Sequence, residues 1–213
     1  MSLKHLKYCQ PEFYKFSEDS LFLANESSKL IKDNFPKNYP IRGLDLCSGC
    51  GVVGIETMRQ LENVFLFHFL ELQGLFQGFF HKNTVFFLNQ DERNKVKFYN
   101  SDFDSFSSSK LYSNIKYNLI VSNPPYFKKE KNREGADKRR NLCRFFSDSD
   151  FTKFLQFIFA FLDKKGIALF LGRDSEIEYD IKTFLEKKSK DFEIIKYKSV
   201  GLTSLFMGRF LDK

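Results

Sequence analysis

The sequence lacks the marks of several protein classes. No stretch approaches the ~20 apolar residues of a membrane span, and Met1-Ser-Leu-Lys-His-Leu-Lys-Tyr8 has no apolar signal core, so a cytoplasmic protein without a membrane partner is expected. Cysteine is sparse: Cys9, Cys47, Cys50 and Cys143. Cys47-Ser-Gly-Cys50 has C-x-x-C spacing, but no second such pair exists and the three histidines are scattered, so zinc lacks ligands and no metal is expected. A redox role for the pair is weak as well, because the spacing falls in a glycine-rich turn that wants small residues anyway. Internal repeats and linker-like stretches are absent too. A single domain over 1–213 is expected, with 1–40 as an N-terminal helical extension and 41–213 as the core. Tryptophan is missing, whereas phenylalanine occurs 28 times; its scatter through strands and helices alike reads as core filling.

What is present begins with charge. Lys+Arg number 34 against 27 Asp+Glu, a net charge of +7 that favours an anionic partner such as nucleic acid over an acidic protein. Length and 42% hydrophobic content are those of an ordinary protein able to bury a core.

The chemistry concentrates at Asn123-Pro124-Pro125-Tyr126. Tyr117-Asn-Leu-Ile-Val-Ser122 reads as a buried strand, and Pro124, with no N–H to donate, stops it. The Asn side chain is thereby delivered to a strand tip. Two prolines stiffen the backbone, so an amide, the Pro124 carbonyl and the Tyr126 ring are expected to face one small volume. An amine on a conjugated ring, or a carboxamide nitrogen, is a poor nucleophile because its lone pair is delocalised. Two acceptors, Asn123 Oδ1 and the Pro124 C=O, would take its two hydrogens and favour an electron-rich, pyramidal nitrogen, while Tyr126 stacks on the flat substrate. An ordinary Asn-Pro turn is the bland alternative.

The rest of the chain alternates strand and helix. A helix is expected over about Asp19–Asp33, a strand over Ile41–Leu46, and a turn into a second helix near Val52. Gly49-Cys-Gly51-Val-Val-Gly54 completes G-x-G-x-x-G between strand and helix, where the first glycines let backbone approach a ligand. Val64–Leu70 reads as a strand ending at Glu71, placed either to accept two ribose hydroxyls or to stand exposed at the start of the next helix. A helix is expected over Leu72–Asn89 and a third strand over Asn94–Tyr99, with Asp102 and Phe103 beyond its tip, able to meet a base's amino group and face. Ser105–Ser113 reads as a loop. After the fourth strand and its Asn-Pro-Pro-Tyr comes the densest charge, with Lys128, Lys129, Lys131, Arg133, Lys138, Arg139 and Arg140 against three acids; a phosphate-contacting or lid loop is expected there. A helix from Ser149 to about Lys164 should bury Phe151, Phe154, Leu155, Ile158, Phe159 and Leu162. Gly166–Leu171 is a fifth strand and Glu176–Lys190 a helix. Two final strands, Phe192–Ser199 and Ser204–Leu211, joined around Gly201, must pair antiparallel. The expected fold is α/β: a seven-stranded, mostly parallel, Rossmann-like sheet with a C-terminal antiparallel hairpin and helices on both faces.

Asp45, Glu71, Asp102 and Asn123 then fall at the C-terminal ends of successive strands, where open α/β sheets bind ligands. At this point the chain resembles the class I S-adenosylmethionine-dependent methyltransferases. Asp45-Leu-Cys-Ser-Gly49-Cys-Gly51 matches that family's D-x-x-x-G-x-G loop. The resemblance implies that this loop, Cys47 included, surrounds the methionine part of S-adenosyl-L-methionine, that Glu71 with Leu72 beside it holds the ribose, and that Asp102 and Phe103 take the adenine. Asn123 would border both cofactor and acceptor, because Asn-Pro-Pro-Tyr is the signature of members that methylate amino nitrogens of adenine, cytosine or glutamine. Within the class the chain is similar to bacterial valine-tRNA adenine-N6 methyltransferases. That similarity rests on Tyr14-Lys-Phe-Ser-Glu-Asp-Ser-Leu-Phe-Leu-Ala24, on Gly49–Gly54 with Glu71-Leu-Gln73, and on Asn123–Phe127 with the basic stretch after it. It departs at Arg144-Phe-Phe146, where members often carry a histidine-glutamate pair. What it implies is a monomeric tRNA adenine-N6 methyltransferase: in-line transfer with no essential general base, and Phe127 and the basic residues holding RNA. The alternatives are glutamine-N5 methylation of a release factor, an rRNA or DNA amino-methyltransferase, and an inactive RNA-binding module. The first usually has a larger N-terminal helical domain than residues 1–40 provide.

Overall fold

The structure, a computed structural model, describes residues 7–110, 112, 114–128, 133–146, 148–188 and 190–211, with backbone only at 128, 148–150 and 200. Lys129 and Lys131 lie outside the described residues.

Near-continuous apolar runs make strands that are covered on both sides, as in the first, second and fourth of the four parallel strands that open the sheet; the third, Val-Lys-Phe-Tyr-Asn, is a half-exposed edge strand. The four are β1 (Ile41–Leu46), β2 (Val64–Glu71), β3 (Val96–Asn100) and β4 (Tyr117–Ser122). A long fifth strand, β7 (Leu162–Gly172), pairs parallel with β4, matching Ser122 to Phe170. The last two, β8 (Phe192–Val200) and β9 (Thr203–Phe210), form the expected hairpin, with β9 antiparallel to β7. The order is β3-β2-β1-β4-β7-β9-β8. Direction of winding reverses between β1 and β4, and such a switch point opens a crevice at the strands' C-terminal ends.

Alternation along the strands splits the core in two. Phe67, Phe69, Leu119, Val121, Leu169 and Leu205 face one side, against α1 (Glu18–Asn34), α2 (Val52–Met58) and α3 (Gln77–Phe87). Leu44, Leu46, Ile120, Ala168, Phe170 and Phe206 face the other, against α5 (Phe103–Ser108), α7 (Asp148–Phe161) and α8 (Asp174–Lys187). Much of the phenylalanine is here: Phe154 is fully buried and meets Phe170 edge-on at 5.4 Å. Truncating such a ring to alanine costs about 3–5 kcal/mol.

Several elements depart from the pattern read in the sequence. The helix expected over 72–89 is broken into a 3-10 turn at Gly74–Phe76, α3, and a separate α4 (Gln90–Arg93). Asn89 starts that last piece instead of ending the first: it accepts from the Glu92 N–H while Glu92 Oε2 accepts from its own, a complete capping box. The first part of the serine-rich stretch expected as a loop, Ser105–Ser108, belongs to α5, which Asp102 caps through the Ser105 N–H. α7 stops at Phe161, three residues early, and Leu162 already belongs to β7, paired with Tyr117. Phe157 and Phe161 are buried on that helix, whereas Phe159, expected inside, is only half-buried. The basic stretch is more than a loop: it leads into α6 (Lys138–Leu142), and β5 (Phe127–Lys128) pairs with β6 (Phe145–Phe146) across it.

Candidate active site

The C-terminal tips of β1 and β2 are tied together by buried carboxylates. Asp45, 1% exposed, accepts from the Gly54 N–H through Oδ2 at 2.8 Å, which pins the start of α2 to the end of β1. Gly54 allows this approach, since a Cβ there would stand 2.4 Å from the Phe69 ring and 3.0 Å from Asp45 Oδ2. Gly51 opens the helix at a φ of 84°, where a Cβ would also strike Phe80 at 2.7 Å. Glu71 is buried as well. Its Oε2 accepts from Gly49 N–H and its Oε1 from Gln73 N–H, both at 2.8 Å. Glu71 therefore shapes the glycine loop, and each of its oxygens keeps a further lone pair beyond these bonds.

Burial controls the protonation of these groups. It pushes Asp45 up to about 8, with the Glu71 charge adding to the effect and the Gly54 N–H opposing it. Glu71 is raised too, by burial against the pull of three backbone N–H groups. Cys47 holds a left-handed φ of 56°, and burial, then the Glu71 carboxylate, pushes its thiol well up. Cys50 is pushed up to about 12, first by burial, and all four cysteines are free. Thiols held protonated in this way are poor redox nucleophiles.

At the β4 tip the geometry differs from expectation. Asn123 Nδ2 donates to Ser20 Oγ at 2.9 Å, and the Tyr126 hydroxyl donates to Asn123 Oδ1. Tyr126 is thus turned onto the asparagine and packed against the core cluster on the α1–α3 side of the sheet; it does not line the cavity as an open stacking surface. The amide is held at both ends, with the second lone pair of Oδ1 left to accept another hydrogen.

Both groups border one cavity of about 310 Å³. Asp45, Cys47, Ser48, Gly49, Glu71 and Leu72 form its first half, Asp102 and Phe103 its far end, and Asn123 and Pro125 the other. Asp102 is exposed, and Ser105, through its N–H and then its hydroxyl, lowers the pKa of its carboxyl. The carboxylate expected to meet an adenine is thus already engaged as the cap of α5. Phe103 is half-buried against Phe157 at 5.3 Å, and Leu72 is exposed at the rim. Of the basic residues, Arg133, Lys138 and Arg140 are exposed, whereas Arg139 is committed to Asp137 at 2.9 Å and lies 4.8 Å over the Phe13 ring.

Sequence reasoning missed the residues that enclose this cavity. Ser20, Tyr14 and Phe16 come from the N-terminal extension, and Gln73, Phe76, Leu142 and Cys143 complete the wall. Gln73 Nε2 donates to the Arg139 carbonyl and to Cys143 Sγ, each at 3.2 Å, joining the β2 tip to α6. Ser20 stands in the sequence only as one residue of the Tyr14–Ala24 stretch near a helix start, and nothing in its spacing points 103 residues ahead to Asn123.

No protein-family model matches the chain. In sequence it is 25% identical over 130 residues to the tRNA1(Val) (adenine(37)-N6)-methyltransferase of Christiangramia forsetii. That alignment takes in 61% of this chain and 51% of the relative, so the chain spans about half the length of the curated protein it matches. Similar solved structures include the hMettl16 catalytic domain in complex with the MAT2A 3'UTR hairpin 1, at a TM-score of 0.66 and 13% identity over 95% of this chain and 74% of that one. The ribosomal protein L11 methylase of Lactobacillus delbrueckii subsp. bulgaricus gives 0.62 and 11%, over 93% and 81%. Precorrin-6y C5,15-methyltransferase of Geobacter metallireducens GS-15 gives 0.60 and 12%, over 96% and 94%. The fold is that of a class I methyltransferase.

The methyltransferase sheet explains where the cavity opens, but the three neighbours are named for an RNA hairpin, a ribosomal protein and a precorrin. A shared sheet leaves the acceptor to be argued from the residues around Asn123. Among the described residues no helix of this methyltransferase fold is long and apolar enough to cross a membrane.

Proposed function

We propose that the chain is an S-adenosylmethionine-dependent methyltransferase that modifies the N6 amine of an adenine in RNA, with tRNA, and within it a valine tRNA's anticodon loop, as the acceptor. One observation carries the reading: the Asp45–Gly51 loop and Asn123 border the same cavity.

The residues present fit the cofactor. Asp45 Oδ1 and Ser48 Oγ are buried on the cavity wall without a hydrogen-bond partner, and an unmet polar atom of this kind costs about 1–3 kcal/mol until a ligand completes it. Gly49, whose Cβ would meet nothing closer than Phe76 at 3.8 Å, leaves the backbone open to a ligand there. Asp45, Ser48 and Gly49 would hold the amino-acid end, Glu71 the ribose, and Asp102 and Phe103 the adenine. S-adenosylmethionine, when bound, supplies an electrophilic methyl group on a sulfonium.

The chain's own part is alignment. Asn123 Oδ1 and the Pro124 carbonyl accept the two hydrogens of the target amine, so its lone pair turns toward the donor. Ser20 holds the amide in the sense that keeps oxygen, and not nitrogen, available. Tyr126, bonded to the same oxygen, yields or shares it as the amine arrives. Tyr14, Phe16, Leu142 and Phe145 line the cavity and keep water from it. A general base is unnecessary, because the nitrogen becomes acidic once methylated.

The test is incubation of the purified protein with methyl-labelled cofactor and total tRNA or total protein, followed by nucleoside mass spectrometry. Label in tRNA as N6-methyladenosine is expected. Label in protein, or in another nucleoside, contradicts the proposal.

A further inference from the structure

We propose that Arg173 and Arg144, gathered over the ring of Phe127, form a phosphate-binding subsite for the RNA strand that carries the target base. This deepens the function proposed above and rests on its RNA acceptor.

The placement follows from strand register. β4 and β7 run parallel with Ser122 beside Phe170, so Arg173, three residues beyond Phe170, stands at the height of the Asn123–Tyr126 turn. The guanidinium of Arg173 lies 4.7 Å from the centroid of the Phe127 ring, and that of Arg144 lies 5.3 Å from the same ring and 5.8 Å from Phe145. Backbone pairing holds the group in place: the Phe127 N–H donates to the Arg144 carbonyl at 2.9 Å, and β5 and β6 continue from there.

Two like charges over one ring need a counter-charge. Among the described residues neither guanidinium forms an ion pair, whereas Arg59, Arg139 and Arg209 are each paired with an acid. The acid beside Arg173, Asp174, pairs through Oδ2 with Lys196, and its buried Oδ1 bonds to neither arginine. Arg173 Nε is moreover a buried donor with no partner. A cation over an aromatic ring near the surface gains only about 0.5–1 kcal/mol, so the arrangement orients the arginines without neutralising them. An anion with several acceptor oxygens in a plane-matching spacing satisfies both, and a phosphodiester is the anion that lies next to a splayed-out base. Phe127 accordingly acts as the platform for the two arginines, which occupy the ring that would otherwise stack on a base.

The experiment measures binding, not turnover. Affinity of the full chain for tRNA is followed by fluorescence anisotropy over a salt series, for the wild type, Arg173→Gln, Arg144→Gln, the double variant and Arg173→Lys. Two lost single-strand phosphate contacts lower the slope of log affinity against log salt by about 1.4, and weaken binding by about tenfold or more at moderate salt. Arg173→Lys keeps the charge and is expected to keep most of the slope. A melting temperature close to wild type shows that each variant is folded; should Arg173→Gln melt early, Arg144→Gln alone carries a drop of about 0.7. Unchanged slopes in folded variants, or no salt-dependent tRNA binding by the wild type, overturn the subsite. So does a loss of affinity for polyglutamate with tRNA affinity intact, which would mark a site for acidic protein. If the variants lose RNA as described but the wild type methylates no RNA, the subsite stands and the activity proposed above fails.

Discussion

The two halves of the cavity are built by different means. The half at the β1 and β2 tips is closed by short-range bonds between buried groups, Asp45 to Gly54 and Glu71 to Gly49 and Gln73, each at 2.8 Å. The half at the β4 tip is assembled from afar: Ser20 reaches Asn123 across 103 residues, and β6, paired with β5, brings Phe145 and Phe146 to the wall. A preformed, buried half suits a cofactor that is the same in every turnover. A half made of surface-reaching side chains suits an acceptor that is large, charged and brings its own shape.

Substitutions should separate the halves, and the largest effect belongs to the acceptor side. Asn123→Ala is expected to lower kcat by about 10²–10³ while cofactor affinity stays within about threefold, as read by single-turnover transfer and by calorimetry. A matching loss of cofactor affinity would merge the two halves. Asp45→Ala should do the reverse, weakening cofactor binding by about tenfold to a hundredfold, because it removes a buried acceptor. Asp45 also predicts a pH effect. Its folded pKa is raised to about 8, above the ordinary carboxylate value, so the folded chain keeps a proton that the unfolded chain releases. The stability this lends is full at low pH and is lost as pH climbs from about 4 to 8, at up to about 1.4 kcal/mol per pH unit. Denaturant unfolding at pH 5 and pH 8 should show the decline in the wild type and its reduction in Asp45→Asn.

Smaller effects sharpen the comparison. Ser20→Ala is expected to lower kcat by about tenfold, and Ser20→Thr, which keeps the hydroxyl, to restore most of it. Equal activity in both variants would show that Ser20 only fills space. Gly78→Ala, in the first turn of α3 with nothing within 4 Å of the added carbon, should raise stability by about 0.5–1 kcal/mol and leave transfer unchanged.

The same contrast explains what was legible in the sequence. The sheet was, since its central strands are largely apolar runs and the joint around Gly201 is too short for anything but a hairpin. The glycine loop was legible too, since Gly49 and Gly51 lie between a strand and a helix and Gly54 falls in that helix's first turn. Even there, a carboxylate's hydrogen-bond partners do not follow from its position: Glu71 and Asp102 each serve the backbone, one holding a loop and the other capping α5. The acceptor half was legible only at Asn-Pro-Pro-Tyr itself. Tyr126 faces Asn123 because a buried hydroxyl needs a partner, and Ser20 and Arg173 join the site through packing between elements that no local pattern records.

The most direct measurement is an experimental structure of the chain with S-adenosylmethionine bound. The amino-acid end should complete Asp45 and Ser48, the ribose should lie at Glu71, and the sulfonium methyl should point at Asn123 and Pro125. A cofactor bound outside this cavity, or one whose methyl faces away from Asn123, would contradict the joining of the two halves in one site.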